Sequence, residues 1–231
     1  MCCRSIDLKK GKLKINIDDW RVFMKERFLF FIIGMLILTM GVALIIRSNL
    51  GASAWDALAV GESQMFHLTV GTFVFINGVI LIFINAFLMK KKPEVLAAIS
   101  ILIIGVLIDF WLLVIFGDLT PQTLAGQSFI LLFGILSMGM GVAIYLQAKF
   151  PASPMDTLMV AIHTRFGLNL RNSRIISESF ALLLAFLFKG AIGVGTIVVT
   201  LTLGLVVQFF YPVFERTLER MQAPKGPLIT K

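Results

Sequence analysis

The stretches GMLILTMGVAL at positions 34–44 and LGASAWDALAV at 50–60 are echoed by GILSMGMGVAI at 134–144 and FPASPMDTLMV at 150–160. Over positions 34–60, eleven of 27 residues are identical to their counterparts 100 positions later, without a gap. Chance in apolar sequence supplies on the order of one match in ten, because a few residue types dominate it. The chain is therefore read as an internal duplication. The match thins after Leu68 and Leu168 and returns near the ends of the copies. There IGVLIDFW at 104–111 resembles LGLVVQFF at 203–210 and sets Asp109 opposite Gln208.

Composition says what medium the two copies occupy. Of 231 residues, 58% are apolar and 15% charged, and the mean hydropathy is +0.93. A soluble domain is roughly 45–50% apolar on a count that also includes Gly, and about 25% charged. These values exclude a soluble enzyme, a secreted disulfide scaffold and a disordered tail, and the lipid bilayer is the expected partner. The net charge of +8 would suggest nucleic acid in a soluble protein. Here the basic residues lie between apolar runs, so they are read as topology signals and no nucleic-acid partner is expected. Cys2 and Cys3 are adjacent and cannot staple distant segments; free thiols in a reducing cytoplasm are expected.

Six apolar runs reach or approach the roughly 20 residues that a helix needs to cross a bilayer: 28–46, 70–89, 95–116, 127–147, 175–188 and 191–214. The first is too long for the apolar region of a cleavable signal and is read as an uncleaved span. Trp20 and Phe23 ahead of it suit an interfacial stretch. The fifth is the shortest and needs Arg174 and Lys189 to snorkel from its ends, with Gly190 and Gly193 shaping the turn that follows. With the N-terminus placed inside, 19 Lys/Arg fall on the inner side and two, Arg47 and Lys189, on the outer. Basic residues collect on the cytoplasmic side, so both termini are expected there. The expected layout is a basic segment 1–27, repeat 28–116, connector 117–126, repeat 127–214 and tail 215–231, the tail carrying Pro224, Gly226 and Pro227 and fraying. Three spans per copy is an odd number, so copies in series run in opposite directions. The expected fold is an all-α, six-span bundle with a 3+3 inverted repeat, an architecture common among secondary transporters.

After the first span of each copy the chain breaks at Gly51 or Pro151. Ser53-Ala54-Trp55-Asp56 and Ser153-Pro154-Met155-Asp156 follow. Ser at N-cap and Asp three residues on make a capping box, and Pro154 suits the first helical position. The helices begun here, near 54–66 and 154–165, are too short to span and too apolar for an ordinary loop. They are either re-entrant or flat on the interface. Re-entrant helices entering from opposite faces would converge their N-termini, with free N–H groups and partial positive charge, on one midplane cavity.

Candidate substrate-binding residues are thus Ser53, Trp55, Asp56, Ser153 and Asp156. Asp109, a carboxylate inside an apolar span, and its counterpart Gln208 are candidates for ion coupling or for pairing with each other. Glu178 is expected to pair with Arg174 one turn away, Asn77 and Asn85 to hydrogen-bond between helices, and Gly34, Gly41, Gly134, Ser137 and Gly141 to let helices pack closely. His67 and His163 lack a cluster with metal-ligand spacing, and neither a metal nor a cofactor is expected. An intramembrane hydrolase built on Ser153, Asp156 and His163 is disfavoured, because a Ser and a His ten residues apart on one helix rarely face each other and no G-x-S-x-G context is present.

LGASAWDALAVG, its echo PASPMDTLMVAI, and GAIGVGTIVVTLTLGLVVQFF at 190–210 together resemble the YczE/YyaS/YitT family of bacterial integral membrane proteins. Its first element is similar to G-x-S-P-W-D. Ser53, Trp55 and Asp56 match it, while Ala54 stands in place of the proline; the second copy keeps Pro154 but has Met155 in place of the tryptophan. The resemblance covers about 28–214 and implies a six-span body in the bacterial cytoplasmic membrane. The expected function is secondary transport of a small solute, with an anion suited to the helix starts. The alternative is a non-transporting accessory or solute-binding subunit of another membrane complex. A second copy of the chain or another membrane protein is a candidate partner, and no nucleotide motif that would drive primary transport is present.

Overall fold

The computed structural model describes residues 17–150 and 153–222, with side chains described from Lys25 to Met221. Cys2, Cys3, Pro151, the side chains of Trp20 and Phe23, and Pro224, Gly226 and Pro227 lie outside that description. Among the described residues the regular structure is helical throughout: α1 (Ile17–Arg47), α2 (Ala54–Phe66), α3 (Val70–Met89), α4 (Val95–Asp109), α5 (Leu124–Gln147), α6 (Pro154–Phe166), α7 (Leu170–Leu187) and α8 (Val194–Gln222). A π-helical stretch, Phe110–Ile115, prolongs α4.

Among the described residues, five helices are long and apolar enough to cross a membrane: α1 from Lys25, α3, α4 with its π-helical extension, α5 and α8. The remaining expected span, the fifth, is α7, which is 18 residues long, but Arg171, Arg174 and Glu178 occupy its first half and dilute its apolar character. The first and last helices in the chain also extend further than expected. α1 begins ahead of Phe28, and α8 runs on through Pro212 to Gln222, so the first part of the polar tail is helical.

α1 and α5 form the centre. A Cβ added at Gly34 would strike the backbone of Tyr145, and one at Gly134 would strike that of Ile45; Gly41 stands in the same way against Met138, and Gly141 against Leu38. The partner's number falls as the helix's own number rises, so the two helices run antiparallel. Each contact also maps onto another when 100 is moved from one partner to the other. The small-residue stripe therefore packs helix on helix, as expected. Helix ends repeat too, with left-handed residues 100 apart at Asn49 and Lys149 and at His67 and Gly167, and 99 apart at Lys90 and Lys189.

α1 stops before the end of the bundle. Continuing its register along α5 sets Arg47 roughly 12 Å in from the start of α5, at about 1.5 Å per residue. The break that follows is buried, with Ser48 and Ala52 both at 0% exposure. Buried irregular backbone needs internal partners, and it has them. The Ser48 hydroxyl donates to the Ile45 carbonyl (2.6 Å), the Ala52 N–H to the Ala191 carbonyl (2.9 Å), and the Gly195 N–H to the Leu50 carbonyl (2.7 Å). The fit of these two loops requires glycine. Gly51 has φ +116°, and its missing Cβ leaves room for Gly193. Gly190, at the foot of the same loop, abuts the Ala57 carbonyl.

Each short helix packs on both halves, α2 on α7 and α3, and α6 on α3 and α7. Asn77 Nδ2 donates to Glu62 on α2 (2.5 Å) and Asn85 Nδ2 to the Pro154 carbonyl at the start of α6 (2.8 Å), the interhelical role expected of both. The halves differ in one respect. α3 and α4 cross in close backbone contact at Gly71 and Gly105, whereas a Cβ at Gly204, the counterpart of Gly105, would meet only Arg174 Nη1 at 3.7 Å. α7 and α8 stand apart.

Candidate functional site

A cavity of about 470 Å³ occupies the middle of the bundle and is lined by side chains from all eight helices. Both Ser-x-x-Asp helix starts reach it. Ser53, Trp55, Asp56, Ser153, Asp156 and Gln208 are all on its wall, and Asp109 is not.

The two starts are built differently. Ser53 caps α2: the Asp56 N–H donates to Ser53 Oγ (3.4 Å) and the Ser53 hydroxyl donates to Asp56 Oδ2 (2.5 Å). Asp56 is 8% exposed, and its Oδ1 has no donor among the described residues. At the second start Pro154 takes the first helical position as expected, but the expected capping box does not form, because the Ser153 side chain makes no cap bond. Asp156 instead accepts from the Tyr145 hydroxyl (3.2 Å). The counterpart of Tyr145 is Ile45, which has no hydroxyl to offer, and so Asp56 is left to its own N-cap serine. Asp156 is exposed while Asp56 is buried.

Three features of the wall were not singled out by the sequence. Tyr145 is one of two tyrosines in the chain, and its mismatch with Ile45 was the available signal. Ser100 on α4 is 5% exposed, lines the cavity and has no hydrogen-bond partner among the described residues; nothing in its sequence context marks it. Arg174 and Glu178 form the expected i,i+4 pair (2.8 Å), but that they border the cavity depends on how α7 is packed. Beside them Gln208 makes no side-chain hydrogen bond among the described residues. Pro212, four positions on, has no N–H to give the Gln208 carbonyl.

Asp109 serves the α3–α4 crossing instead. Its Oδ1 accepts from the Gly71 N–H (2.7 Å) and its Oδ2 from the Thr69 hydroxyl (2.6 Å). A carboxylate thus caps the start of α3, where the helix dipole favours negative charge, and it does not meet Gln208. Outside the cavity, the His163 ring hydrogen-bonds the Leu168 carbonyl.

Residues 25–212 match a family of unknown function, DUF6198. The chain belongs to this family. The DUF6198 match encloses every residue that lines the cavity, from Met35 to Gln208. Relatives include the uncharacterized protein YyaS of Bacillus subtilis (strain 168), 38% identical over 190 residues that cover 82% of this chain and 94% of the relative. The uncharacterized membrane protein YczE of the same organism is 33% identical over 189 residues, covering 80% and 86%. An uncharacterized protein of Haemophilus influenzae is 32% identical over 186 residues, covering 78% and 81%. The family resemblance drawn from the helix-start motifs is thereby established for YczE and YyaS. No solved structure matches the chain.

Proposed function

We propose that this DUF6198 protein is a secondary transporter of the bacterial cytoplasmic membrane, moving a small solute through the central cavity by alternating access. The observation that carries this reading is that two related helix starts, 100 positions apart, line one cavity. In this reading α7 is the fifth of six spans, its basic side chains snorkelling, and the chain is a 3+3 inverted repeat with both termini cytoplasmic. The antiparallel, exchange-symmetric packing of α1 and α5 supports inversion, because two such copies are related by an axis in the membrane plane. α2 and α6 are re-entrant, in keeping with the buried break that precedes α2.

The hydroxyls of Ser53 and Ser153 contact solute, and Asp56 and Asp156 exchange the coupling proton or cation. Asp109 and Gln208, the matched pair of the two copies, sit at the two gates. Asp109 holds the α3–α4 side shut, while the α7–α8 side stands open beside Gln208. The test is uptake of a metabolite panel into proteoliposomes with and without a pH gradient. Gradient-dependent flux that is lost in Asp56→Asn plus Asp156→Asn supports the mechanism. No flux for any solute would instead favour the accessory or solute-binding subunit.

A further inference from the structure

Resting on the transporter reading, we infer that the solute is an amphipathic organic cation, an amine or quaternary ammonium ion with an apolar body, and not an anion. Helix N-termini ordinarily suit anions, but here each start already carries its own acid, Asp56 or Asp156, within the first turn. The cavity wall holds three carboxylates, Asp56, Asp156 and Glu178, against one guanidinium, Arg174, and that guanidinium is bound to Glu178. The two aspartates therefore have no basic partner within hydrogen-bonding reach among the described residues. Two further observations point to a missing ligand. Asp56, nine-tenths buried as a residue, has a donor on one carboxylate oxygen only, and Ser100, 5% exposed on the same wall, makes no side-chain hydrogen bond among the described residues.

The rest of the lining gives the body of the solute. Trp55 and Tyr145 offer aromatic faces, which attract cations most strongly when desolvated. Met138, Met155 and Met159 supply adaptable apolar contact. A cavity of about 470 Å³ falls within the range that encloses drug-sized ligands, roughly 300–1,000 Å³.

Tetraphenylphosphonium and tetraphenylborate have nearly the same size and shape and opposite charge, so comparing them isolates the sign that the cavity prefers. Equilibrium dialysis of the purified full chain in detergent, against empty micelles, should show saturable binding of the phosphonium only. Asp56→Asn and Asp156→Asn should each weaken it by about tenfold or more, the usual scale for losing a charged contact. Arg174→Gln, on an exposed turn, frees Glu178 and should tighten binding, which provides a gain-of-affinity test that misfolding cannot mimic. Borate binding as tight as phosphonium binding, absence of saturable phosphonium binding, or indifference to all three substitutions would overturn the inference. Because the assay has no gradient, its failure is separable from failure of transport. An anion taken up by proteoliposomes would sink the cation and leave the transporter standing.

Discussion

A serine and an aspartate three residues apart mean little alone, since many helices begin that way. Their weight here comes from what each aspartate finds within reach. Asp56 belongs to the copy that has Ile45 and turns to Ser53; Asp156 belongs to the copy that has Tyr145 and takes the phenol. Tyr145→Phe should therefore perturb Asp156 and leave Asp56 unchanged, at a cost of about 0.5–1.5 kcal/mol for one hydrogen bond. Infrared spectroscopy of the carboxyl stretch should show one shifted aspartate band, and two shifted bands would contradict the assignment. Asp109 shows the opposite outcome of the same residue type. Its two hydrogen bonds at the start of α3 give it a structural role at the closed crossing, so Asp109→Ala should lower the thermal midpoint in detergent by the equivalent of about 1–3 kcal/mol, the cost of leaving buried donors unmade. An unchanged midpoint would return Asp109 to the list of free ionisable groups.

At the scale of helices, the matched glycines Gly105 and Gly204 make the difference between halves testable. A Cβ at Gly105 would come within 2.5 Å of the Gly71 carbonyl oxygen, whereas one at Gly204 has only a flexible guanidinium nearby. Gly105→Ala should push α3 and α4 apart and lower stability by about 1–3 kcal/mol, the range for overpacking, while Gly204→Ala should be close to neutral by the same thermal assay. Equal effects would mean that the α7–α8 gap closes in solution. What could be read from the sequence follows the same division. Helix starts, the glycine stripe, the interhelical asparagines and the ends of most spans were legible, because caps, small residues and polar atoms in apolar runs each leave a local mark. The wall of the cavity was largely illegible. A membrane helix is apolar toward both lipid and protein, so no periodicity separates the side of α4 that carries Ser100 or the side of α5 that carries Tyr145. α7 was legible as an element but not as a clear span, since three charged residues in its first half make length and apolarity disagree.

Across the whole molecule, a cavity reached from both copies is flanked by one close crossing and one open one, and the duplicated sequence departs from symmetry at that place, with Arg171 matched to Gly71 and Gln208 to Asp109. On the proposed transporter reading, two copies in opposite orientation have matched gates, and a structure in which both stood open would leak. On that reading the closed gate is the α3–α4 crossing, where Gly71 and Gly105 meet and Asp109 bonds the start of α3; the matched positions around Arg171, Gly204 and Gln208 stand apart. With the N-terminus inside, as the same reading has it, the open gate would face the cytoplasm. A cysteine at Ser53, in a chain with Cys2→Ser and Cys3→Ser, should then react with a membrane-impermeant maleimide added from the cytoplasmic side and be protected from the other, although Ser53 follows a break that enters from the outer half. Ser153→Cys should show the same sidedness, because both serines share one cavity. Labelling of Ser53→Cys from outside and Ser153→Cys from inside would mean two separate pockets, and the alternating-access reading would fail with it. Adding a bound solute should redistribute the labelling of both cysteines toward the outer side together, since the closure of one gate and the opening of the other are one rearrangement of two copies packed along α1 and α5.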